Sequence, residues 1–207
     1  MKAVIFLNGE YSYRDDFFEE IIDKETDIFC ADGGTNYCIE KGYKPKCIYG
    51  DLDSIKPETL EKVMKMGIQT EKFSPDKDYS DFELVLEEMG YDNYEKIYVV
   101  GALGKRIDFT LNNIMLMEKY EKLVILTETE KIFFRDKSFS ISGKKGKTLS
   151  IVSLDSEIEN ITLKGFKYPL LNRYIKRESS ILMSNVILED EADVIFDKGK
   201  IVVILYV

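Results

Sequence analysis

The 207-residue sequence has no histidine, only three cysteines, and no apolar run long enough to cross a bilayer. Without histidine there is no imidazole base, no Ser-His-Asp triad and no His-ligated zinc. Cys30, Cys38 and Cys47 match no zinc spacing, and an odd number of thiols suits a reducing compartment. Cations are also in deficit: 29 Lys and Arg stand against 38 Asp and Glu, a net charge of -9. That balance argues against nonspecific binding to nucleic acid or to an anionic membrane, which needs clustered Lys and Arg. It leaves phosphate ligands open if a divalent cation screens the carboxylates. No signal peptide is visible ahead of the first apolar run, so the expected location is the cytoplasm.

What is present is a repeating grammar. Residues 3–7 form a short, wholly apolar run, the mark of a strand buried on both faces. Further strands are predicted at 28–31, 47–49, 68–73, 97–100 and 123–126. Helices are predicted at 17–22 and 35–41, from Pro57 to Gly67, from Ser80 to Gly90, and across Leu111, Ile114, Met115 and Tyr120. Ser80 with Glu83 reads as a capping box, and the Met115-Leu116-Met117 cluster reads as core. Strand, loop and helix in alternation predict an α/β domain with a mostly parallel sheet over residues 1–130. In such sheets, ligand loops lie outside the carboxyl ends of the strands. Asn8-Gly9, Asp32-Gly33-Gly34, Asp51-Leu52-Asp53, the segment 76–81 and the segment 101–108 all follow strands directly.

From about residue 130 helical periodicity disappears. Short apolar runs at 132–134, 139–141, 149–154, 158–163, 181–183, 194–196 and 201–207 alternate with turn clusters such as Gly143-Lys144-Lys145-Gly146. This spacing predicts a small β-sandwich over residues 131–207.

The chemistry centres on Gly50-Asp51-Leu52-Asp53-Ser54. Two carboxylates two residues apart at a strand end share a side, and they repel unless a cation lies between them. Asp32, Asp78 and Asp81 would converge on the same edge, an oxygen-only set suited to Mg²⁺. The bland alternatives are a solvated turn with Ser54 as helix cap, and Asp81 as a capping residue alone. The loop 101–106 offers backbone N–H groups and the Arg106 fork to phosphates, though its spacing is neither a Walker loop nor a dinucleotide fingerprint. Asp108 can cap the following helix or hold Arg106.

Taken as an ordered set, Ala31-Asp32-Gly33-Gly34, Gly50-Asp51-Leu52-Asp53-Ser54, Pro75-Asp76-Lys77-Asp78-Tyr79-Ser80-Asp81 and Gly101-x-x-Gly104-x-Arg106-x-Asp108 closely resemble the thiamine pyrophosphokinase family. Gly165-Phe166-Lys167-Tyr168-Pro169-Leu170 and Ser184-Asn185 extend the resemblance into the C-terminal part. The resemblance implies a Mg²⁺-dependent transfer of a pyrophosphoryl group from ATP to the thiamine hydroxyl, in a homodimer with shared active sites. It implies Asp51, Asp53 and Asp81 as metal ligands, with Arg106 and Asp108 beside them in catalysis. Asp32, Gly33, Gly34, Lys77, Asp78, Gly101 and Gly104 are implied on the nucleotide and pyrophosphate side. Tyr168, Ser184 and Asn185 are implied on the thiamine side. Phe109 stands where many bacterial members carry histidine, and Ser80 where threonine is common. Two other readings remain at this point: a Mg²⁺-dependent phosphatase with Asp51 as nucleophile, and a non-catalytic ligand-binding regulator.

Overall fold

The computed structural model describes every residue except Asp15, Pro75 and Lys77. The chain divides into two compact units, Met1–Leu116 with Lys122–Glu128, and Met117–Glu121 with Thr129–Val207. Among the described residues, no helix is long and apolar enough to cross a membrane.

The first unit is built on β1 (Lys2–Phe6), β2 (Asp27–Ala31), β3 (Cys47–Gly50), β4 (Gln69–Lys72), β5 (Lys96–Val100) and β6 (Leu123–Leu126). Its strands run in the order β4-β3-β2-β1-β5-β6, every adjacent pair parallel. The central strand is β1, and Ala3, Val4, Ile5 and Phe6 have no solvent exposure. A strand covered on both faces must be apolar at every position, which is why this run does not alternate. At the edge, β4 reads Gln-Thr-Glu-Lys and is mostly exposed, a polar border that resists pairing with another chain. Strand order reverses between β1 and β5, so the loops leaving their carboxyl ends open a crevice there.

The helices are α1 (Gly34–Glu40), α2 (Pro57–Lys65), α3 (Asp81–Glu88) and α4 (Ile107–Lys119). Pro57 opens α2 at its first turn, where a missing N–H costs nothing, and Lys56 rather than Ser54 is the flanking residue. Ser80 and Glu83 form the expected capping box at α3. Two helical expectations need correction. Residues 17–22 supply only the 3₁₀ turn Phe17–Glu20, because Asp16 makes no side-chain cap and aromatic packing holds the segment instead. On α4, Leu116 and Met117 are buried, as is Tyr120 just beyond its end, while Leu111 and Met115 are more than half exposed.

The second unit contains β7 (Glu130–Arg135), β8 (Phe139–Ser142), β9 (Thr148–Ser153), β10 (Glu157–Lys164), β11 (Leu170–Lys176), β12 (Asn185–Val186), β13 (Glu191–Ile195) and β14 (Ile201–Tyr206). They form two antiparallel layers, β12-β9-β14-β7 and β11-β10-β13-β8. Alternate residues bury between them, including Leu149, Ile151 and Val203 from one layer and Ile158, Ile161 and Val194 from the other. The expected strand at 181–183 is a turn in which only Leu182 is buried. The edge strand β11 was missed: its Leu-Leu-Asn-Arg-Tyr-Ile-Lys sequence is largely exposed, and pairing with β10 rather than local pattern makes it a strand.

Candidate active site

All five loops expected at the carboxyl edge of the first sheet contribute to one cavity of about 500 Å³. Asn8 and Gly9 leave β1, Asp32 leaves β2, and Asp51 and Asp53 leave β3. Ser80 and Asp81 enter α3, and the segment from Gly101 to Arg106 leaves β5.

Close backbone packing explains the glycines. A Cβ on Gly34 would lie 2.2 Å from the Phe6 carbonyl oxygen, and one on Gly33 would lie 2.4 Å from Asn8 Nδ2. Gly101 has φ +66° and its Cβ would fall 2.4 Å from Tyr11 Cζ. Only a residue without a side chain lets the loop settle there. Tyr11 and Tyr13 brace this region from beneath. The Tyr13 hydroxyl donates to Leu126 O at 2.8 Å and accepts the Gly101 N–H at 3.3 Å. The Tyr11 hydroxyl donates to Leu7 O. The loops after β1 and β5 are then joined by Gly9 N–H to Gly101 O (2.7 Å) and Glu10 N–H to Leu103 O (2.8 Å).

The carboxylates concentrate at the ends of β2 and β3. Oxygens of Asp32, Asp51 and Asp53 lie within 4.8 Å of one another. Asp32 reaches this position through a left-handed backbone (φ 39°), and Gly50 packs against its Cβ. Burial raises the Asp32 carboxyl above the usual range, and the charges of Asp81 and Asp51 push the same way, against a hydrogen bond from Ser54. Ser54 belongs to this group through its N–H to Asp32 Oδ1 (3.4 Å) and its hydroxyl to Asp53 Oδ1 (3.0 Å). Asp81 lines the same cavity from the first turn of α3 but lies outside the tight trio. Three carboxylates at this spacing, with oxygen ligands only, fit a hard divalent cation such as Mg²⁺.

Opposite charge comes from the loop after β5. The Arg106 guanidinium is held by Asp108 through Nε (3.2 Å) and Nη2 (2.5 Å), and lies 4.4 Å from the centre of the Phe109 ring. The Arg106 hydrogen bond lowers the Asp108 carboxyl. Lys105 reaches Asn8 Oδ1 at 3.0 Å, and buried Asn113 donates to Ala102 O at 2.8 Å. Lys105 and Asn113 line the cavity and were not singled out from sequence. A buried polar residue at an inward helical position was the available signal for Asn113. Gly104 takes φ +83° beside the Glu10 side chain. Asp78 is exposed and does not line the cavity, and Lys77 falls outside the described residues.

Tyr168, Ser184 and Asn185 belong to the second unit and form a group of their own. Tyr168 is 56% exposed and Asn185 only 2%. Ser184 is exposed, with a left-handed backbone (φ 55°).

Comparison with known proteins bears on both units. The family model described as "Thiamin pyrophosphokinase, catalytic domain" matches residues 18–127. The one described as "Thiamin pyrophosphokinase, vitamin B1 binding domain" matches residues 136–201. The chain is 28% identical to thiamine pyrophosphokinase of Bacillus subtilis (strain 168) over 188 residues, 88% of each chain. It is 26% identical to thiamine pyrophosphokinase 1 of Oryza sativa subsp. japonica over 200 residues, 83% of this chain and 76% of the relative. The crystal structure of thiamine pyrophosphokinase from Bacillus subtilis superimposes with a TM-score of 0.89 at 25% identity, covering 100% of this chain and 99% of that one.

Proposed function

The chain belongs to the thiamin pyrophosphokinase family, and on that premise we propose how its residues carry out pyrophosphoryl transfer from ATP to thiamine. The phosphatase and regulator readings have no support among the relatives. The observation that carries the assignment of roles is the convergence of Asp32, Asp51, Asp53, Asp81, Lys105 and Arg106 on one cavity.

In this reading residues 1–130 hold the nucleotide and residues 131–207 recognise thiamine. The thiamine hydroxyl oxygen forms a bond to the β-phosphorus of ATP, the bond from that phosphorus to the α–β bridging oxygen breaks, and AMP leaves. Arg106, fixed in plane by Asp108, offsets charge on the phosphates, and Lys105 adds a second cation. With no histidine in the chain, a cavity carboxylate takes the hydroxyl proton. Asp51 and Asp53, with Asp32 or Asp81, would hold Mg²⁺. When bound, the ion screens the carboxylates and phosphate oxygens from one another. Gly33, Gly34, Gly101 and Gly104 allow backbone to approach the phosphates. The aromatic face of Tyr168 suits the flat cationic ring of thiamine. We further place the protein in the cytoplasm as a homodimer with shared sites, a location that suits its unpaired, buried thiols.

The test is stoichiometric. With ATP, thiamine and Mg²⁺, AMP and thiamine diphosphate should appear in equal amounts, and EDTA should stop both. Release of inorganic phosphate without AMP, or no turnover by folded protein, would overturn the assignment.

A further inference from the structure

We propose that Asn185 is a positioning residue that acts through Tyr168 and makes no contact with substrate itself. The proposal rests on Tyr168 facing thiamine, as read above. Ser184 and Asn185 are neighbours in sequence but opposite in setting, one exposed and the other buried. The Asn185 amide is committed to backbone. Its Oδ1 accepts the Tyr168 N–H at 3.0 Å and the Val186 N–H at 2.9 Å, and its Nδ2 donates to the Tyr168 carbonyl at 2.8 Å. A carboxamide oxygen has two lone pairs, and both are taken; one of the two Nδ2 hydrogens is taken as well, and the residue is buried, so little remains for a ligand.

The need for this side chain follows from the chain around it. Residues 165–168 lie along 185–188: the Lys167 N–H bonds Val186 O at 2.8 Å, the Leu188 N–H bonds Gly165 O at 2.8 Å, and Phe166 bridges Ile187. That ladder stops at Tyr168, because Pro169 follows and has no N–H to continue it. In this register Tyr168 falls opposite Asn185 at a position where strands exchange no backbone bonds, and the Asn185 side chain takes up both its N–H and its carbonyl. Ser184 turns the chain into β12 with a left-handed backbone, its N–H held by Ser150 Oγ at 2.8 Å. The outcome is a rigid peptide carrying an aromatic ring that is 56% exposed. Its backbone is fixed before any ligand arrives, which lowers the ordering cost of binding.

The experiment is a double-mutant cycle on the full-length enzyme with Asn185→Ala, Tyr168→Ala and the pair, measuring KM for thiamine, KM for ATP, kcat and Tm. Asn185→Ala should raise KM for thiamine about tenfold and leave KM for ATP within about twofold. In the Tyr168→Ala background it should add little, since the ring it orients is gone. Asn185→Thr, which keeps one hydroxyl for the freed Tyr168 backbone, should fall between wild type and Asn185→Ala. It serves as the readout if Asn185→Ala does not fold. Effects of Asn185 and Tyr168 that multiply would mean that Asn185 meets thiamine directly, and would overturn the proposal. An equal rise in both KM values would make its role merely structural and would do the same. If Tyr168→Ala leaves KM for thiamine unchanged, the underlying reading of Tyr168 fails instead, and the two failures are distinguishable.

Discussion

Replacing Asp51 by asparagine should separate stability from catalysis. The perturbation removes one charge from a trio whose oxygens lie within 4.8 Å of one another. At that separation two unit charges interact by about 3.5 kcal/mol at an effective dielectric of about 20. Asp53 is exposed and Asp51 partly so, and screening reduces the relief to about 0.5–1.5 kcal/mol. The Asp53 N–H to Asp51 Oδ1 bond of 3.1 Å survives, because asparagine retains an acceptor oxygen. In EDTA, Asp51→Asn should therefore melt roughly 1–5 °C above wild type. Added Mg²⁺ should reverse the order. Wild type gains about 2.7 kcal/mol at a hundredfold excess over Kd, and the variant, short of a ligand, gains less. Turnover should be lost throughout. Scanning fluorimetry across an MgCl₂ titration, run beside AMP release, reads all three effects. A variant that melts below wild type in EDTA, or that keeps the full Mg²⁺ shift, would refute the electrostatic account of this cluster.

Three further outcomes are expected. Gly101→Ala forces a side chain into a left-handed position 2.4 Å from Tyr11 Cζ, and should cost about 2–4 kcal/mol, seen as a large fall in Tm together with a raised KM for ATP. Tyr13→Phe leaves the Gly101 N–H and Leu126 O without the hydroxyl that joins them, and denaturant unfolding should show a loss of about 1–3 kcal/mol. Hydrogen bonds from Lys2, Thr26 and the Glu25 amide draw the Asp23 carboxyl down to about 2. A carboxyl depressed in the fold stabilises above its unfolded value of 3.8, and that contribution is lost as pH falls through the folded value. The Tm gap between wild type and Asp23→Asn should accordingly hold steady between pH of about 7 and 5, then close below about 4. A gap that widens in acid would contradict the assignment.

Much of the architecture is local in origin and so was legible in the sequence. The apolar run of β1 must be buried on both faces, Pro57 and the Ser80–Glu83 pair punctuate helices, and each polar loop follows its strand directly. Two-sided burial, capping and turn chemistry act over a few residues. What escaped depends on pairing across the chain. The convergence of Asp32 on the Asp51–Asp53 edge is legible, but that Asp32 rather than Asp81 completes the tight trio depends on β2 lying beside β3 and on its own positive φ, neither of which the Asp-Gly-Gly string discloses. The exposure of Leu111 and Met115 could not be read from helical spacing, which gives a stripe but not the surface that it faces. For β11, an exposed edge sequence became a strand only through its partner β10.

The setting of the three cysteines has a practical consequence. Cys30, Cys38 and Cys47 are all buried, and burial raises the Cys30 and Cys47 thiols above their ordinary value. Maleimides and haloacetamides attack exposed thiolates, so the folded native chain is a nearly blank background for covalent tagging. A single thiol introduced by Tyr79→Cys, at a position 53% exposed and next to the Ser80 and Asp81 that line the cavity, would carry a fluorophore with one-to-one stoichiometry. No native cysteine would have to be removed first. With the nucleotide placed in this cavity as proposed, the labelled protein would turn its arrival into an optical signal that can be followed in a stopped-flow cell.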